Sequence, residues 1–443
     1  MKLLFVFLLL ILPAAAFAGG INIILKVSPS QDILNDLSNY GKVRDVVYQI
    51  NGVTMQARKS VIPTIAKLPY VQSVNADAVR NGSPIDTVSV SDFSVGLNTW
   101  DNDAINVTDF GTSARQVPYD GTGVYVAVLD TGLLDSWRQY FPQERIEEEL
   151  AIAFGGGGGD NGTVSSQPNK WEHDQNSHGT HVTSTILGYS FFGTAIGGVA
   201  PKANVIPVKV LNQNGSGWSS VVARGIVYVG DLAADDLSGS PVVINMSLGG
   251  TVLDDFEQAA IDYAIAQGVV IVASAGNRGT NGMGFPGAYA PVISSAATGW
   301  IGQWTPNSTW WRTKDVPEGD LTQFYIADFS SRELAGQDLD VSAPGYWTVG
   351  PYQLQSGQTS YFFLAGTSMA SPHVAGVAAL MLQKNPTLTA GQVEAIFESL
   401  PAIACPSSAN NVPVPGGTQN FSWNCDAVGE GNLDAVAALA ATP

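Results

Sequence analysis

Val126-Ala127-Val128-Leu129-Asp130-Thr131-Gly132 is a short, β-branched apolar run that ends on a carboxylate and a glycine. It reads as a buried strand of a parallel sheet, with Asp130 at the edge where side chains turn into a cleft. Working outward, residues 205–210, 242–246 and 269–274 have the same texture and are bounded by Gly, Pro or Asn. Helical spacing fills the intervals at 178–187, 218–233 and 256–267, and returns at 368–383 with Pro372 expected in the first turn. Strand and helix in alternation predict an α/β fold: a mainly parallel sheet with helices on both faces.

Two more blocks share the chemistry of Asp130. His178-Gly179-Thr180-His181-Val182 and Gly366-Thr367-Ser368-Met369-Ala370-Ser371-Pro372-His373 each open a predicted helix. A hydroxyl is a poor nucleophile at neutral pH unless an imidazole takes its proton and a carboxylate fixes and stabilises that imidazole. Asp130, His178 and Ser368 supply these three groups in one of the known chain orders. A zinc reading of His178 and His181 fails on spacing, since they lie three apart with no Glu between them. The glycine run at 155–159 lacks the Lys-Ser/Thr ending of a phosphate loop and reads as a surface loop.

Together these blocks resemble those of the subtilisin-like serine peptidases (subtilases), from about Trp100 to near the C-terminus. The resemblance implies that Ser368 is the nucleophile, His178 the general base and Asp130 its orienting carboxylate. A fourth block, Val272-Ala-Ser-Ala-Gly-Asn277, matches the segment whose Asn carboxamide donates to the oxyanion. Ser247, Leu248 and Gly249 match one wall of a peptide groove, and Gly215, Ser216 and Gly217 the other. Ser274, Ala275, Gly276 and Gly284 match the lining of the pocket for the residue before the cut bond. No acidic residue stands there, so broad or apolar preference is expected. No cofactor is needed for this chemistry. The rival reading is a catalytically silent peptide-binding protein on the same scaffold, but no triad member is missing.

Residues 1–18 carry Lys2, an apolar run at 3–12 and a small-residue Ala16-Phe17-Ala18 exit, the pattern of a secretory signal peptide. The run is too short for a comfortable membrane span, so no transmembrane anchor is expected. Residues 19–85 read as β-α-β-(β)-α-β, a ferredoxin-like unit, with an end between 80 and 98. Before a subtilase domain at 86–443, such a unit resembles the family's inhibitor-like propeptide. The precursor's first partner would then be its own N-terminal unit, and its later partners protein or peptide substrates. Residues 81–98 have no clear period and read as the processing linker.

A net charge of −18 argues against a nucleic-acid partner, which needs clustered Lys and Arg. It suits an extracellular, monomeric protein and leaves room for structural Ca²⁺. Glu147–Glu149, Asp160-Asn161-Gly162 and the 338–340 stretch are acidic candidates, while no metal ligand set is assignable. After Asp130-Thr-Gly the family's calcium-binding pattern is replaced by Leu133-Leu-Asp135-Ser-Trp137-Arg-Gln-Tyr-Phe-Pro142. Cys405 and Cys425 are the only cysteines and suggest one disulfide closing a surface loop. The stretch from 298 to 330 carries Trp300, Trp304, Trp310 and Trp311, which are expected to bury against the domain.

Overall fold

A computed structural model describes residues 19–82, 84, 86–89, 99–109, 114–155, 164–305 and 315–443. The 1–18 stretch, Asp160-Asn161-Gly162, most of the glycine run, Trp310 and Trp311 lie outside the described residues.

The first unit comprises β1 (Gly20–Leu25), α1 (Gln31–Leu37), β2 (Lys42–Val47), β3 (Gly52–Gln56), α2 (Ile62–Ile65) and β4 (Val71–Ala76). Its sheet order, β2-β3-β1-β4, with every neighbouring pair antiparallel, is the ferredoxin-like arrangement. β2 stops at Val47. A 3₁₀ turn and Asn51, in the left-handed region at φ 51°, reverse the chain into β3. Ile21, Ile23, Leu25, Val53, Met55 and Ile65 close a small core of its own.

Val79–Asn81 (β5) and Asp86–Ser89 (β6) follow. Asn81 and Asp86–Ser89, within the stretch read as the processing linker, are therefore paired backbone.

The large sheet uses β7 (Tyr125–Asp130), β8 (Ile152–Gly155), β9 (Val164–Gln167), β10 (Asn204–Lys209) and β12 (Val242–Met246). It continues with β13 (Val270–Ser274), β14 (Ile293–Trp300), β15 (Phe324–Ile326), β16 (Val341–Pro344) and β21 (Gly431–Asn432). The order is β9-β8-β10-β7-β12-β13-β14-β16-β21, with β15 beside β14. Only β9 and β15 run antiparallel to their neighbours among these strands. Alternate residues of β7 serve opposite faces. Val126 and Val128 join the core with α3 (His178–Leu187) and α6 (Thr367–Lys384), and Ala127 and Leu129 the core with α4 (Ser219–Ala234) and α5 (Asp255–Ala266). Burial of both faces is why the strands read as apolar runs rather than as alternation. From β7 the chain first fills β8 and β10 on one side, then crosses to β12 on the other. That switch point gathers the strand ends that carry the site.

Four smaller strands frame the cleft and the C-terminal part: β11 (Ser216–Trp218), β18 (Tyr361–Ala365), β19 (Ser407–Val414) and β20 (Gly417–Trp423). The stretch between the cysteines is a β19–β20 hairpin, not an open loop, and the Cys405–Cys425 disulfide clasps its base with Cα atoms 5.0 Å apart. Trp300 is buried and stacks on Trp100, and Trp304 meets Trp347 and Phe363 edge-on. Trp137, Tyr140 and Phe141 are buried in the stretch that departs from the family's calcium-binding pattern. No helix among the described residues is long and apolar enough to cross a membrane.

Candidate active site

Asp130 closes β7, and His178 is the first residue of α3. Both side chains are fully buried, and His178 Nδ1 lies 2.9 and 3.0 Å from the two Asp130 oxygens. That contact places the proton on Nδ1 and leaves Nε2 as the basic nitrogen. Gly179 permits the approach, because a Cβ there would stand 3.2 Å from Asp130 Oδ1. Around the pair is a scaffold that sequence reading missed. Thr131 Oγ1 donates to Asp174 and accepts from the Gly179 N–H, both at 2.9 Å. Asp174 also accepts from the Asn176 and Ser177 N–H groups, and the Lys209 ammonium donates to the Thr131 carbonyl. Burial pushes the Asp174 carboxyl up to about 6, with Lys209 pulling the other way. The spacing Asp174-x-Asn176-Ser177 before a helix was the available signal for this turn.

Ser368 is the second residue of α6 and is 3% exposed. Its hydroxyl donates to the Ser247 carbonyl at 3.1 Å, while the Ser247 hydroxyl donates back to the Ser368 carbonyl at 2.7 Å. Pro372 explains the second bond. It stands at the sixth helical position, later than the first turn expected from sequence, and lacks the N–H that would have used the Ser368 carbonyl. His178 Nε2 has no partner among the described residues. Rotation of the Ser368 side chain away from Ser247 is the movement that would let it find one, consistent with the loose contacts of catalytic groups without substrate.

Asn277 follows β13. Its Oδ1 accepts from the Thr367 N–H at 2.9 Å and from Thr367 Oγ1 at 3.0 Å. A backbone N–H can only donate, so this contact fixes the amide orientation and turns the Nδ2 donors toward the groove beside Ser368. Gly276 is tied to the same threonine, its N–H donating to Thr367 Oγ1 at 3.0 Å. His181 and His373 stand apart from this chemistry. His373 bridges the Met369 carbonyl and Asp101, and burial, with His178 nearby, pushes His181 down to about 3. Neither histidine joins a metal-ligand cluster among the described residues.

A groove of about 750 Å³ runs past these groups, lined by Trp218, Gly249, Ser274, Gly276, Gly284 and Ser368 among others. Ala275 and Leu248 are buried beneath it. The Ala275 carbonyl accepts from the Gly284 N–H at 2.8 Å, and the Leu248 carbonyl from Ser274 Oγ at 3.3 Å. The chain itself lies in the groove. β5 pairs antiparallel with β11, setting Val79, Arg80 and Asn81 opposite Trp218, Gly217 and Ser216. The Gly82 N–H adds a bond to Gly215 on that same wall at 2.8 Å, while on the other side Asn81 and Gly249 exchange N–H···O bonds of 3.0 and 2.9 Å. A Cβ on Gly82 would be 3.5 Å from His178 Cε1. Beyond the site, β6 pairs with β18, the strand leading into α6. Two walls expected to hold a peptide thus hold one, in the manner of an added β-strand.

These features have counterparts in known proteins. A model of the "Subtilase family" matches residues 121–400. The chain belongs to that family, and it is a serine endopeptidase acting on protein substrates. It is 34% identical over 300 residues to a thermostable alkaline protease of Halalkalibacterium halodurans, covering 67% of each chain. Against subtilisin DY of Bacillus licheniformis it is 36% identical over 279 residues, covering 62% of this chain and 82% of that one. Its fold aligns with fervidolysin from Fervidobacterium pennivorans, a keratinolytic enzyme related to subtilisin, at a TM-score of 0.66 and 24% identity. That alignment covers 97% of this subtilase but only 62% of fervidolysin.

Away from the groove, Asp338, Asp340 and Glu394 bring one carboxylate oxygen each within 4.8 Å of one another. Asp340 is fully buried, and its Oδ1 has no hydrogen-bond partner among the described residues. Burial and mutual repulsion push Asp340 up to about 7 and Glu394 up to about 8. An all-oxygen set carrying this much uncompensated charge suits a hard cation such as Ca²⁺. Glu147–Glu149 forms no such cluster among the described residues.

Proposed function

We propose that this subtilase is made as a secreted precursor whose N-terminal unit inhibits the peptidase until it is cut away. What supports the reading is one observation: residues 79–82 lie between both groove walls as an extended strand, against the ring of His178. In the released enzyme Ser368 Oγ attacks the scissile carbonyl while His178 Nε2 takes its proton, and Asp130 stabilises the imidazolium. Asn277 Nδ2 and the Ser368 N–H hold the oxyanion. Collapse breaks the C–N bond, with His178 returning the proton to the leaving amine. Water then repeats the sequence on the acyl-enzyme and frees the acid. Ser274, Ala275, Gly276 and Gly284 bring no negative charge to the first pocket, which favours an apolar residue there. Asp338, Asp340 and Glu394 are the residues that would hold a structural Ca²⁺, whose part would be to offset their repulsion and not to enter the reaction.

The test is Ser368→Ala. Secreted from its host, that variant should lose the signal peptide yet keep residues 19–85 attached, and hydrolysis should fall about 10⁶-fold. Near-normal hydrolysis, or normal release of the N-terminal unit by the purified variant, would overturn the mechanism.

A further inference from the structure

Beside the groove lies a buried ion pair that the reaction does not use. Arg80 and Glu257 are both fully buried. Arg80 Nε stands 2.9 and 3.0 Å from the two Glu257 oxygens, and Nη2 donates to Oε2 as well. This is the forked grip that a planar guanidinium makes on a carboxylate and that an ammonium cannot reproduce. Among the described residues Arg80 supplies the only ion pair of Glu257. Asp254 and Asp77 add attraction for the same guanidinium.

The pocket is shaped for this guest. A Cβ on Gly250 would run into the Val79 carbonyl and stand 2.7 Å from Arg80 Nη1, so glycine leaves room for both the seated strand and its guanidinium. Gly217 faces Arg80 across the β5–β11 pair without a side chain. Ser219, at the start of α4, is small and donates to Asp254 at 2.6 Å instead of filling the space. Five of these groups belong to the peptidase part: Gly217, Ser219, Gly250, Asp254 and Glu257. They remain when the N-terminal unit is gone, and Glu257 then faces a cavity whose only described cation has left. A guest that refills the pocket buries that carboxylate again, and one bringing a positive charge is favoured over one that does not.

We infer that Glu257 makes this pocket a subsite for a guanidinium, so that the peptidase selects substrates with arginine at the fourth residue on the N-terminal side of the bond it cuts. The count follows from register. Asn81 bridges Gly249, Gly82 covers His178, and a substrate in the same register presents its next carbonyl to Ser368. The inference rests on the peptidase reading of the groove and adds a residue that sets its specificity.

The experiment uses the mature enzyme and four acetylated anilides, Xaa-Asn-Gly-Phe-p-nitroanilide, with Xaa as Arg, Lys, citrulline or Leu. The anilide fixes the bond cut, and citrulline keeps arginine's shape without its charge. Arg should exceed citrulline and Leu by about 10- to 100-fold in kcat/KM, mostly through KM, with Lys between them. In Glu257→Gln the Arg-to-citrulline ratio should collapse to within about twofold. The ratio is taken within one preparation, so a loss of folded enzyme cancels. If the wild type digests casein yet handles Arg, citrulline and Leu alike, or prefers Leu, the subsite is refuted and the peptidase reading survives. If it neither digests casein nor reacts with an organophosphonate, the peptidase reading falls and the subsite with it.

Discussion

Two fully buried polar clusters lie within a few residues of one another along β5, and they are built on opposite plans. The Asp130–His178 pair is supported entirely from inside the peptidase part, through Thr131, Gly179, Asp174, Ser177 and Lys209. The seam beside it is divided between the two units. Asp77, after β4, accepts from the Ser220 hydroxyl and the Ser220 N–H, capping α4 from another unit. Asn22 donates to Asp254 at 2.8 Å, and Arg80 grips Glu257. α4 has no side-chain cap of its own, so Asp77 stands where a capping residue would. A cluster whose parts all come from one unit keeps its geometry when the other departs. A divided one exists only while both are docked. The difference teaches that the geometry of the Asp130–His178 pair and the docking of the N-terminal unit are separable here, although only Asn81 stands between Arg80 and Gly82.

Breaking the divided cluster is expected to have the larger effect. Arg80→Leu in the isolated 19–85 unit leaves Glu257 buried without its cation, a loss of about 3–5 kcal/mol. Inhibition of the mature enzyme in trans should weaken by roughly 10²- to 10³-fold or more, as read from the inhibition constant. An unchanged constant would mean that the seam contributes nothing to docking. The undivided cluster is tested at its outer edge. On the proposed role of Asn277 as oxyanion donor, Asn277→Ala should lower kcat about 10²- to 10³-fold with little change in KM. A dominant KM effect would make Asn277 a positioning residue.

The smallest effect is acid sensitivity of the catalytic side. His181 sits one helical turn from His178, and burial holds its folded pKa down at about 3, against the ordinary 6.5 of a histidine. Between those values the unfolded chain binds a proton that the folded chain refuses. Its contribution is therefore complete above pH 6.5 and is lost as pH falls toward 3. Relative to His181→Leu, a Ser368→Ala background should lose about 2 kcal/mol of stability from pH 7 to pH 5. Denaturant midpoints at the two values would measure it, and parallel behaviour of the two proteins would refute it.

The elements carrying Asp130, His178 and Ser368 were legible because each motif sits on a boundary where local pattern changes. β12 and α3 fall where the apolar runs placed them, and α4 and α6 within a residue of expectation. The seam was not legible. Arg80 and Glu257 are 177 residues apart, and no periodicity joins side chains brought together by the docking of two units. The β19–β20 hairpin escaped for a related reason, since its strands carry many polar residues and meet the core mainly through Val412, Phe421 and Trp423. Glu394 joined the carboxylates at 338 and 340 only in space.

The paired bonds between Ser247 and Ser368 have a mechanical consequence. Ser247 leads into the wall that reads a bound chain's backbone through Gly249, and it is laced twice to the residue that carries the attacking oxygen. The carbonyl released by Pro372 turns an irregularity in the helix into a gauge. A chain laid along that wall is thereby measured from the reacting atom itself, and a slip of one residue would misplace the bond to be cut, however well its side chains fit.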